Sequence, residues 1–183
     1  MLFLESSARL VLVLHAVVGA AVVASTTHLV VWAWKLRRGQ ARRAGGTRWL
    51  ALVGAGLYGV QFVLGNLMYP VYKVRVRAEY FESPAAVGED ARARRARSLG
   101  GVTPPKDGED EPPPRLERLA HLFDIKEHIV ALGLALAVAA AFLVRGEERR
   151  GLLLFCVAGA AACAWTGGLV GLWVASFRSV GAL

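Results

Sequence analysis

Apolar residues gather into four runs, Leu10–Trp34, Trp49–Val71, Leu119–Val144 and Leu152–Phe177, divided by segments rich in charge, glycine or proline. An α-helix rises about 1.5 Å per residue and the hydrocarbon core of a bilayer is roughly 30 Å thick, so about 20 apolar residues cross it. Backbone amides in lipid must find partners within their own segment, which selects helix for each run. The pattern predicts an all-α fold, an integral membrane four-helix bundle that occupies the chain as a single four-span domain. The first run starts near Met1 but continues past Thr26, Thr27 and His28 to Trp34. That is well beyond the apolar core of a signal peptide, so it reads as a retained span.

Two of the connections are short. Lys35–Arg48 holds six basic residues and no acid, and Arg145–Arg150 reads RGEERR. The connection between the second and third spans, from about Tyr72 to Arg118, opens with YKVRVRAEYF, a basic and aromatic continuation of the second span. Residues 83–114 follow, poor in apolar side chains and broken by Pro104-Pro105 and Pro112-Pro113-Pro114. So little apolar surface cannot offset the entropy of ordering, and a flexible, largely disordered loop is predicted there. Helical periodicity resumes in RLERLAHLFDIKEH, just after a proline run suited to a helix start. By parity the two short connections share one side of the membrane, with nine basic residues against thirteen on the other. Short loops weigh more in setting topology, which places both termini outside the cytoplasm.

Lys and Arg number 22 against 14 Asp and Glu, a net charge of +8. In a soluble chain that excess would suggest nucleic acid. Here it flanks the spans with no interleaved aromatic patch, and 55% of the chain is hydrophobic. The expected partners are the lipid bilayer and a larger membrane complex or a homo-oligomer, with no nucleic acid. Glycines at 54, 56, 59, 65, 167, 168 and 171 mark faces where helix backbones approach closely. The run GAGLYG matches a dinucleotide fingerprint only in form, since it lies inside an apolar span with no strand before it. Cys156 and Cys163 share a face of the fourth span about 10 Å apart, too far to bridge, and read as small hydrophobes.

Chemistry is confined to a few polar groups. The charge-free part of the third span, Ile129–Val144, is only 16 residues, about 24 Å of helix. Asp124, Lys126, Glu127 and His128 are therefore drawn to the interface or below it. At about 100° per residue, Glu117, His121, Asp124 and His128 form one stripe, while Lys126 and Glu127 point elsewhere. Glu117, His121 and Lys126 read as solvated charges of an interfacial helix. Asp124 stands one turn from His128, where its carboxylate is placed to fix the imidazole tautomer. His15, Asn66, Tyr69, Arg75 and Arg77 fall at the same end by parity, and Asn66 is expected to bond across helices. His28 lies about 140° round the first helix from His15, too far for the two to serve stacked haems, and reads as a packing histidine.

Three function classes follow. The first is a b-type haem-binding or redox module, with His15 and His128 as axial metal ligands across the bundle. Asp124, Asn66 and Tyr69 would tune those ligands through hydrogen bonds, and Arg75 and Arg77 would hold a propionate or another anion. The second is a non-catalytic membrane subunit or scaffold. The third is an intramembrane enzyme or metal site on the Asp124/His128 stripe. The sequence carries no Cys-x-x-Cys-His, no His-Glu-x-x-His and no phosphate loop, so no motif chooses a reaction.

Overall fold

Helix α1, Ala8–Arg37, carries the first apolar run. The computed structural model describes residues 7–40, 44–98, 117–146 and 149–177. α1 stops where Gly39 adopts a φ of 86°. Gln40 N–H donates to the Lys35 carbonyl at 3.2 Å and Gly39 N–H to that of Leu36 at 3.1 Å. These two bonds form a Schellman cap, which needs the left-handed conformation glycine adopts without strain. Gly39→Val is expected to cost about 1–2 kcal/mol, read as a lower thermal midpoint in detergent.

Helix α2 spans Ala44–Val71 and holds Pro70 near its end. Proline has no N–H to give the carbonyl one turn back, and beyond it the rod continues as a π-helical segment, Tyr72–Phe81. Helix α3, Pro84–Ser98, follows at once. The flexible loop expected over 83–114 is thus helical over its first half, and residues 99–116 lie outside the described residues. The local cause is a start signal that composition hides. Ser83 Oγ accepts the Ala86 N–H at 3.4 Å, and Pro84 occupies the first helical position, where its missing donor costs nothing. Val87 then buries against Tyr72, Val76, Tyr80 and Phe81.

Helices α4, Glu117–Leu143, and α5, Arg150–Phe177, complete the chain. Four helical stretches are long and apolar enough to cross a membrane: Ala8–Arg37, Ala44–Phe81, His121–Leu143 and Arg150–Ser176. The chain is a multi-pass helical membrane protein. Neighbouring pairs are α1–α2, α2–α4, α4–α5 and α5–α1, so α1 and α4 face each other across the diagonal of the bundle. The interior is built from small residues, among them Ala137, Ala140, Ala160 and Ala164, around the fully buried Tyr58. Tyr58 donates its hydroxyl to the Ala160 carbonyl at 3.4 Å, and its ring lies over Gly133. Close approach of backbones, rather than large side chains, holds such an interior together. Large side chains point outward instead, as at Val17, Leu132, Phe142, Phe155 and Leu172. In a membrane that surface belongs against lipid.

Candidate functional site

One polar layer crosses the bundle interior. Its register follows from the inward faces of the helices. His15 stands seven residues before buried Val22 on α1, two turns along the same face. On α2, Gln61 continues the line of buried Gly54 and Tyr58. On α4, Lys126 is seven residues before buried Gly133, on the stripe that carries Ala137, Ala140 and Val144. The expectation that Lys126 is a solvated interfacial charge is therefore corrected, since its face is the one that points inward.

Gln61 Nε2 lies 3.0 Å from His15 Nε2. An amide nitrogen can only donate, so His15 Nε2 accepts, and the neutral ring carries its hydrogen on Nδ1. That Nδ1 and Gln61 Oε1 are both buried and have no partner among the described residues. The Lys126 charge lies within electrostatic reach of His15. The ammonium sits 4.7 Å above the Phe123 ring and makes no ion pair or hydrogen bond among the described residues.

Three glycines make room for the layer. A Cβ on Gly19 would come within 3.0 Å of Gln61 Nε2, and one on Gly65 within 3.4 Å of His15 Cε1. On the fourth helix, a Cβ at Gly171 would come within 3.0 Å of Lys126 Nζ. All four helices thus contribute, with Gly171 acting through the space it leaves.

Toward the membrane surface the layer meets aromatic rings. Tyr72 stacks on Phe123 with centroids 3.7 Å apart, and Tyr69 stacks on Tyr72 at 6.5 Å. The Tyr72 hydroxyl is buried with no partner among the described residues. Tyr72→Phe is expected to leave thermal stability unchanged or to raise it by up to about 1 kcal/mol. A clear loss of stability would mean that this hydroxyl is bonded in the membrane.

Other residues expected at a site lie elsewhere. Arg77 Nη1 holds both Asp124 oxygens, at 3.0 and 2.9 Å, and its Nε donates to Glu82 Oε1 at 2.7 Å. Arg75 pairs with Glu79 at 3.0 Å. Both guanidinium groups expected to hold an outside anion are thus engaged by carboxylates of the chain itself. Asp124, expected to steer His128 through its carboxylate, gives that carboxylate to Arg77. It is the Asp124 backbone carbonyl that stands 2.9 Å from His128 Nδ1.

His121 and His128 are exposed, His128 being about 140° round α4 from Gly133. His15 and His128 are not brought together. Asn66, expected to bond across helices, is exposed and donates to the Phe62 carbonyl at 2.8 Å in its own helix. His28, expected inside the packing, is exposed beside Trp32. The side chain of Glu117 lies outside the described residues.

An open groove of about 400 Å³ lies apart from the layer, between the π-helical segment and α3, lined by Arg75, Glu79, Tyr80, Glu89 and Asp90. Tyr80 donates across it to Asp90 at 2.7 Å. Among the described residues no group of three or more His, Cys, Asp or Glu is gathered as for a metal ion. Comparison with protein-family models, curated proteins and solved structures finds no match to the chain.

Gln61 and the inward face of Lys126 are not legible from charge and polarity alone. The signal for both was the stripe of small residues on each helix, which marks the face that meets its neighbours.

Proposed function

We propose that this chain is a membrane-embedded binding module. It holds a small polar ligand at His15, Gln61 and Lys126, inside one end of the bundle. The observation that carries this reading is the pair of buried atoms, His15 Nδ1 and Gln61 Oε1, with no partner among the described residues and within electrostatic reach of Lys126. Buried polar atoms are nearly always hydrogen-bonded, and exceptions mark places where a ligand or water completes the set. Glycines on three different helices let Gln61, His15 and Lys126 stand inside the bundle, because a Cβ at Gly19, Gly65 or Gly171 would crowd them. Native mass spectrometry of protein extracted from its own membranes in mild detergent tests the reading. A retained small molecule, lost in both His15→Phe and Gln61→Leu, is the expected result. Spectra identical for wild type and both variants would contradict it.

A b-type haem or redox role is a second reading, favoured by one observation, the unpartnered nitrogen on His15. It requires the ring to expose a lone pair, either by turning the Gln61 amide or by moving it away, and it requires His128 to leave the outer face of α4. Purified protein with a Soret band that His15→Ala abolishes would support it. A protein without the band after expression with ample haem would count against it. The acid-free basic connection Lys35–Arg48 supports placing both termini, and with them the polar layer, on the non-cytoplasmic side. Reporter fusions to the C-terminus, active only outside the cytoplasm, are the test of that orientation.

A further inference from the structure

We infer that the polar layer is an anion site, in which Lys126 supplies the charge and His15 Nδ1–H a hydrogen bond. This rests on the binding reading and names the class of ligand.

Lys126 lies within a membrane-crossing stretch of α4, and His15, within its electrostatic reach, belongs to α1, the helix diagonally opposite. A cation held in that position is costly unless an opposite charge or several acceptors meet it. Among the described residues no ion pair or hydrogen bond meets Nζ. Phe123 offers only the face of its ring. Asp124 is committed to Arg77 by two short contacts, and Glu127 makes no ion pair with Lys126 among the described residues.

With Gln61 donating to Nε2, the orphan group on His15 is a donor, Nδ1–H. An ammonium and an imidazole N–H both seek an acceptor, and an anion satisfies them together. Gln61 Oε1, the orphan acceptor, suits the hydroxyl of a protonated oxyanion or a water carried in with the ion.

Glycine at 171 and at 65 lets the ammonium and the imidazole stand close against those helices, since a Cβ would come 3.0 Å from Lys126 Nζ and 3.4 Å from His15 Cε1. Alanine at either position would crowd the group it faces. Enclosure by four helices favours a small free ion, such as a halide or a short carboxylate, over a phospholipid headgroup.

The test is thermal unfolding of the full chain in neutral detergent, at constant ionic strength, with gluconate replaced stepwise by chloride, by formate or by inorganic phosphate. The wild-type midpoint is expected to rise saturably with at least one of the small anions. Lys126→Met should weaken the apparent affinity at least about tenfold, since it removes the charged partner, while Lys126→Arg should retain a response. A flat wild-type midpoint in all three anions overturns the inference, as does an equal response in Lys126→Met. A response seen only when phosphatidylglycerol is supplied in nanodiscs also overturns it, because the ligand would then be a lipid. A retained molecule in native mass spectra with no anion response would leave the binding reading standing and remove this one. Absence of both would remove both.

Discussion

Gly133→Ala is expected to be among the most damaging single substitutions in the bundle. A Cβ there would overlap the Tyr58 hydroxyl and stand 2.7 Å from Cys163 Cβ. Tyr58 is fully buried and tied to the Ala160 carbonyl, so it cannot turn away without leaving its hydroxyl unpaired. Crowding a close-packed interior by one methyl group typically costs about 1–3 kcal/mol, and loss of the hydroxyl's bond adds about 1 kcal/mol. The thermal midpoint in detergent should fall clearly. The double variant Gly133→Ala with Tyr58→Leu should recover part of the loss, because the clashing Tyr58 atoms are gone while the close contact with Cys163 Cβ stays. If Gly133→Ala alone leaves the midpoint unchanged, α2, α4 and α5 do not approach one another as described.

Lys126→Met is expected to act in the opposite direction. Methionine keeps much of the length of the lysine stem and removes a charge that makes no ion pair among the described residues. In gluconate, where no small anion accompanies the lysine, stability should rise by roughly 1–3 kcal/mol. The gain should shrink as chloride or formate is added, since the wild type alone would gain from the ion. A Lys126→Met protein that is less stable than wild type in gluconate would mean that the ammonium has a partner in the membrane.

The four spans were legible in the sequence because their cause is local. Length and apolar content decide whether a segment crosses a bilayer, and the helices begin and end within a few residues of the apolar runs. Helix α3 was hidden because composition averages over a window, whereas Ser83 and Pro84 act at a single position. The site was harder to read for a different reason. Charge alone makes Lys126 look solvated, and Asp124 and His128 look paired. Which face of α4 turns inward is set by Gly133, Ala137 and Ala140, small residues that let α5 approach. Even with that face assigned, the reach of the Lys126 charge to His15 depends on α1 and α4 standing across the diagonal. No pattern within either segment carries the order of helices round the bundle. Arg75 and Arg77 show the same limit, since the carboxylates that engage them include Asp124, 47 positions along the chain from Arg77.

Magic-angle-spinning NMR of protein labelled at histidine and glutamine nitrogens, in lipid bilayers, tests the polar layer most directly. The account predicts a contact between the Gln61 side-chain amide and the His15 ring, with His15 neutral and its hydrogen on Nδ1. It also predicts that Gly19→Ala, which presses on Gln61 Nε2, weakens that contact. A His15 ring with no contact to Gln61, or one carrying its hydrogen on Nε2, would contradict the layer from which both the binding reading and the anion site are drawn.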